Sequence, residues 1–173
     1  MAWRAKIVVA PVLGLAACLG ASAVSPCLDN TTSTYNCQAN TLGLLNLVFC
    51  DISDEDVEGG YLSSCFEAAE RTNISHLALG HNDITVLPED IFQGLDALLE
   101  LGLYGNDLTT LPAGLFRNLT TLESISLHDN NLTILPEGLF DNLTTLQSID
   151  LENNTLASLP NGLFQNLPAL ETL

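Results

Sequence analysis

The sequence predicts an α/β solenoid whose short strands stack into one parallel sheet on a concave face. Two observations carry the body of that expectation: an apolar pattern returns every 24 residues from Ile74 onward, and each copy alternates in and out over only a few positions. A third concerns the segment before the repeats, which has no repeat register but carries Cys27, Cys37, Cys50 and Cys65. It predicts a disulfide-bearing N-terminal cap.

The repeat units open at Ile74, Leu98, Leu122 and Leu146, and a fifth begins at Leu170. In the third unit the apolar positions are Leu122, Ile125, Leu127, Leu132, Leu135, Phe140 and Leu143, with Asn130 between them and Pro136 after Leu135. The other full units follow the same template, with Asn82, Asn106 and Asn154 at the asparagine position and Phe92, Phe116 and Phe164 at the phenylalanine position. Alternation around Ile125 and Leu127 makes a short strand with one inward face, and no single unit can bury that face alone. Stacking units about 4.8 Å apart solves this, so the leucines form one elongated core. The asparagines fall where the chain leaves the strand, where an amide can satisfy backbone groups that no ladder reaches. The phenylalanines are expected to stack as a spine behind the sheet.

This L-x-x-L-x-L-x-x-N-x-L pattern, continued as L-x-x-L-P-x-x-x-F-x-x-L, resembles the leucine-rich repeat family. It is similar to the extracellular type found in Slit proteins, Toll-like receptors, the Nogo receptor and variable lymphocyte receptors. The resemblance covers residues 74–173 and implies a right-handed solenoid that recognises a protein or peptide ligand on its concave face. It also implies a capping role for residues 24–73. Ser53-Asp54-Glu55-Asp56 is expected to start a helix there.

Residues 1–23 read as a secretory signal peptide: Arg4 and Lys6, an apolar run from Ile7 to Gly20, then Ala21-Ser22-Ala23 before the expected cleavage at Val24. The run is too short and too interrupted, by Pro11 and Gly14, to span a bilayer. Secretion fits the cysteines, since removing Cys18 with the leader leaves an even four, read as two disulfides in any of three connectivities. At the other end Leu170-Glu171-Thr172-Leu173 stops four residues into a unit, which predicts a longer native chain. A membrane partner is expected only if a downstream anchor exists in that full-length form.

Charge narrows the partners. The 173 residues hold 21 Asp+Glu against 4 Lys+Arg, a formal charge of −17, with 47% hydrophobic residues. Cleavage removes two of the four cations and no acid, leaving about −19 with only Arg71 and Arg117. Such a chain lacks the electrostatic attraction that dominates nucleic-acid affinity, so no nucleic acid is expected as partner. The apolar content is too high for an acidic disordered chain.

Function is expected on the concave face. Between residues 98–121 and 122–145, 14 of 24 positions are identical, yet all five pairs that point out around the strand differ: Leu99/Glu123, Glu100/Ser124, Gly102/Ser126, Tyr104/His128 and Gly105/Asp129. The candidate ligand-binding residues are His76, His81, Glu100, Tyr104, Glu123, Ser126, His128, Asp129, Asp150 and Glu152. Acids, imidazoles and one tyrosine suit a protein or peptide with a basic patch, with Tyr104 as anchor. The three histidines predict pH-dependent binding between pH 5 and 7, of either sign.

Sequons at Asn30, Asn73, Asn118, Asn131, Asn142 and Asn153 are N-glycosylation candidates. Asn118 and Asn142 are expected on the outer side, and Asn153 at the rim of the concave face. No enzyme is expected: Ser126, His128 and Asp150 fall on adjacent strands, but no strained nucleophile turn or oxyanion pocket accompanies them. No cofactor or metal is expected either. Asp54 to Gly59 imitates the start of a calcium loop, but its twelfth position is Cys65 instead of a bidentate Glu.

Overall fold

The computed structural model describes residues 44–47, 50, 52–59, 62, 66 and 71–173. The expected leader, Cys27, Cys37, Cys65 and Asn30 lie outside them. One parallel sheet runs in chain order through β1 (Leu44–Asn46), β2 (His76–Ala78), β3 (Glu100–Gly102), β4 (Ser124–Ser126) and β5 (Ser148–Asp150). The register advances by one unit per strand: Leu77 pairs with Leu101, Leu101 with Ile125, and Ile125 with Ile149. The fifth unit already joins, because Thr172 bridges Ser148 in parallel. Between strands the chain crosses the back of the sheet in turns, held by bonds such as Leu95 N–H to Phe92 O and Leu119 N–H to Phe116 O.

The core follows the template. Leu77, Leu101, Ile125 and Ile149 point inward from the strands and are all but inaccessible, as are Leu79, Leu103 and Leu127. Ile91, Leu115, Leu139 and Leu163 form a further buried column, one residue before each phenylalanine, which the template above omits although the sequence repeats it. The phenylalanines stack as expected: centroids lie 6.5 Å apart for Phe92 and Phe116, 6.1 Å for Phe116 and Phe140, and 6.0 Å for Phe140 and Phe164.

Each asparagine ties two turns together. Asn130 Nδ2 donates to Leu127 O in its own turn and to Leu103 O in the turn before, both at 3.0 Å. Its Oδ1 accepts from Leu108 N–H at 3.1 Å. Asn106 and Asn154 repeat the arrangement.

The sheet starts earlier than the repeat register indicates. β1 lies in the cap and pairs with β2 through Leu44↔His76 and Leu45↔Leu77. Asn82 serves it as well, donating to Leu47 O and accepting from Cys50 and Ile52 N–H. Phe66 extends the phenylalanine spine to the cap, 6.5 Å from Phe92. The cap helix α1 (Asp54–Glu58) begins after Ser53, as expected, and its Asp56 carboxylate accepts from Ser53 N–H and Oγ. Leu62 and Phe66 are helical and buried farther on.

α1 also disposes of the calcium imitation. Asp54 sits in a helix and spends its carboxylate on the first repeat, accepting from Thr85 N–H at 2.7 Å, from Thr85 Oγ1 and from Val86 N–H. Burial pushes the Asp54 carboxyl up, and these three donors more than reverse that, leaving its pKa below the usual value.

Candidate concave recognition face

Four columns of side chains cross the strands on the side away from the core. His76, Glu100, Ser124 and Ser148 form one, and Ala78, Gly102, Ser126 and Asp150 the next, as the register dictates. Just beyond the strand ends come Gly80, Tyr104, His128 and Glu152, then His81, Gly105, Asp129 and Asn153. The last column is a run of left-handed residues, with φ of 54°, 66°, 54° and 54°. His, Gly, Asp and Asn are the residues that tolerate this conformation, which the chain needs to turn into the asparagine ladder.

The two outer columns interlock into a stack of rings. Tyr104 lies over Gly80, whose missing Cβ would fall 2.5 Å from the phenol carbons. His81 lies over Gly105 in the same way and meets Tyr104 edge-on at 5.2 Å. His128 covers the phenol nearly parallel, at 5.0 Å and 9°. The sandwich leaves Tyr104 only 8% exposed, and burial raises its pKa. Tyr104, expected above to be the ligand's anchor, is therefore a packing element, because both faces of its ring are already occupied. Ser126 is likewise 6% exposed.

The remaining candidates reach the surface. His76 Nε2 lies 3.7 Å from Glu100 Oε1, and His76 Nδ1 bonds Ser75 Oγ at 2.8 Å. His128 Nδ1 lies 2.9 Å from Asp129 Oδ2, while Asn153 Nδ2 donates to Asp129 Oδ1 at 2.9 Å. The Asn153 amide and the His128 imidazole hold the Asp129 carboxyl below the usual carboxylate range. Burial lowers the pKa of His81, with Asp129 opposing and His128 adding to the shift. Glu123 and Glu152 are exposed, and Asp150 Oδ1 accepts from Glu152 N–H. Arg117 stands on the turns behind the sheet, 3.3 Å from Glu89.

These positions do not assemble a catalytic triad. The hydrogen-bonding partner of His128 is Asp129, and His128 stacks on Tyr104. Among the described residues, no cluster of three or more His, Cys, Asp or Glu is placed to hold a metal ion. No described helix is long and apolar enough to cross a membrane. The sequons divide: Asn118 and Asn142 are exposed on the outer turns, whereas the Asn131 and Asn153 amides donate to Asp107 and Asp129.

Gly105 offers a direct check on the ring stack. Gly105→Ala places a Cβ at φ +66° and 2.5 Å from His81 Nδ1. Left-handed backbone alone costs an L-residue about 1–2 kcal/mol, so the variant should melt several degrees lower, with the His81 ring resonances displaced. An unchanged melting temperature together with unchanged His81 resonances would contradict the interlock.

The fold is thus a solenoid of parallel strands and back-crossing turns, presenting a polar, acid-rich sheet face on a repeating apolar frame. The chain belongs to the leucine-rich repeat family, whose model matches residues 72–132 and 120–173. Leucine-rich repeats are generally protein-interaction modules, and no enzyme family is among the matches. Among solved structures, the leucine-rich repeat domain of APL1B is 31% identical with a TM-score of 0.62, over 75% of this chain and 35% of that one. The APL1 leucine-rich repeat domain is 32% identical with a TM-score of 0.61, over 73% and 31%. TLR13, solved as a complex with ssRNA13, is 33% identical with a TM-score of 0.54, over 57% and 14%. The chain therefore spans about a third of the APL1 domains and a smaller part of TLR13. No curated protein sequence matches it.

Proposed function

We propose that this chain is an extracellular recognition module that binds a basic protein or peptide on its concave face, as the N-terminal part of a cell-surface receptor. The observation that carries this reading is Glu100, Asp129, Asp150 and Glu152 in the outward columns, with exposed Glu123 just before β4, and no lysine or arginine among them. A cationic partner meets complementary charge there and an anionic one meets repulsion. Glu100, Glu123 and Glu152 take the anchoring role that buried Tyr104 leaves open.

Export follows from the signal peptide at residues 1–23, with cleavage before Val24. Two disulfides among Cys27, Cys37, Cys50 and Cys65 close the cap, a reading supported by Cys50, which is 3% exposed and disulfide-bonded. Glycans at Asn118 and Asn142 leave the concave face free, whereas one at Asn153 would crowd it. A secreted or matrix protein without a membrane tether is the second reading, since the same face and leader serve it equally.

The test is fluorescence anisotropy with a labelled eight-lysine peptide at neutral pH and low salt. Glu123→Lys combined with Asp150→Lys should weaken binding about tenfold or more. Asp90→Lys with Asp141→Lys, on the turns behind the sheet, makes the same change in net charge and should cost far less. Equal loss in both pairs would show that net charge, not this face, attracts the peptide. TLR13 was solved with single-stranded RNA, but this chain is proposed to bind none: a net charge of −17 repels phosphates. Retention of a single-stranded RNA in a filter assay at physiological salt would overturn that exclusion.

A further inference from the structure

We infer that the concave face is an acid-released site: it holds a basic ligand at neutral pH and lets go as its own histidines take up protons and neutralise the carboxylates the ligand needs. The inference rests on the reading of that face as the ligand site, and it adds both a sign and a mechanism to the regulation.

All three histidines of the chain lie on this face, and two of them stand against its carboxylates. His76 is 3.7 Å from Glu100 across the β2–β3 pair. On its other side β1 offers Leu44, which carries no charge, and Ser75 Oγ is bonded to Nδ1. Among the described residues, Glu100 is therefore the charged group that an imidazolium at His76 would pair with. His128 is 2.9 Å from Asp129 in its own turn. The preceding turn offers it Tyr104, whose phenol stays neutral, and the following turn carries Glu152 at the same template position. His81 faces Tyr104 edge-on and senses Asp129 and His128.

The arithmetic sets the direction. Five carboxylates (Glu100, Glu123, Asp129, Asp150, Glu152) stand with three imidazoles, His76, His81 and His128. Protonation of all three leaves a formal charge of two negatives on the face instead of five. Imidazoles titrate between pH 5 and 8, while ordinary carboxylates do not. Asp129 keeps its charge throughout, since its hydrogen bonds hold its pKa down. Burial lowers the pKa of His81, and His128 adds to that shift while Asp129 opposes it. The pairing also takes away two specific acceptors: once Glu100 and Asp129 face imidazolium groups, a ligand cation must compete with an intramolecular one.

The experiment measures affinity of the purified chain for the labelled eight-lysine peptide at pH 7.5 and pH 5.5, at constant low ionic strength. The peptide is fully charged at both values, so a change belongs to the protein. The expected result is about tenfold weaker binding at pH 5.5, and for His76→Gln plus His128→Gln the ratio of the two affinities, taken within that variant, falls most of the way to one whatever its affinity at pH 7.5. Circular dichroism at both pH values verifies that each protein is folded, and His76→Gln or His128→Gln alone should each remove part of the effect. Binding at pH 7.5 that is unchanged or stronger at pH 5.5 overturns the inference and leaves the basic-ligand reading standing. A pH effect that survives in the double variant and in the triple variant with His81→Asn also overturns it. Failure to bind at pH 7.5 overturns the basic-ligand reading, and the inference with it.

Discussion

Phe116→Ala is expected to lower the unfolding free energy by about 4 kcal/mol and the melting temperature by roughly 10 °C. Phe116 is fully buried and has a ring on either side, Phe92 at 6.5 Å and Phe140 at 6.1 Å. Truncation removes most of that side chain from the middle of a stack and opens a cavity that the turns on both sides share. Collapse to fill it would require those turns to shift against strands already pinned in register. Phe164 supplies the contrast, being only partly buried at the last stacked position, with Phe140 as its ring neighbour. Phe164→Ala should cost less than half as much, because in a one-dimensional stack each unit contributes through its neighbours. Chemical denaturation of the two variants decides the point, and equal losses would mean that the spine is not where the repeats hold one another.

Asn130→Leu should cost roughly 3 kcal/mol, although the substitution is nearly isosteric and more apolar. Asn130 is 5% exposed and serves four backbone groups: the carbonyls of Leu103, Leu127 and His128 and the N–H of Leu108. Leucine leaves the Leu108 N–H without its acceptor and takes one of two amide donors from Leu103 O and from Leu127 O, which Asn106 and Asn154 still reach; a buried unsatisfied group costs about 1–3 kcal/mol. Asn154→Leu, at a partly exposed position where water can reach the freed groups, should cost less. Exposed Asn131, next door, should tolerate alanine within about 0.5 kcal/mol. Urea midpoints for the three variants rank them, and a stabilised Asn130→Leu would show that apolar burial outweighs the ladder.

Both effects are legible in the sequence, since asparagine and phenylalanine recur at fixed positions in a 24-residue period and only stacked units can use them. The cap was harder to read. Leu45-Asn46-Leu47 has the same alternation as Leu77-Ala78-Leu79, but 32 residues separate the paired β1 and β2 positions instead of 24, so a period-based reading passes over it. Phe66 was hidden for the same reason, sitting 26 residues before Phe92. Asp54 looked like part of an acidic, cation-seeking run, and its hydrogen bonds to Thr85 and Val86, more than 30 positions away, cannot be inferred from local sequence.

The concave face divides along the same line. That His76, Glu100, His128, Asp150 and Glu152 share one side of the sheet follows from the period of two along a strand and the period of 24 between strands. Tyr104 does not yield to that logic. Periodicity places it outward with the others, yet Gly80 beneath it and His128 above it turn an exposed anchor into a buried spacer. The sequence alone determined the solenoid, its register, its asparagine and phenylalanine columns and the sign of its charge, because each depends on repetition along the chain. Only the tertiary structure decided which outward side chains remain free and which carboxylates stand next to histidines, because those depend on how rings and missing Cβ atoms of neighbouring turns interlock.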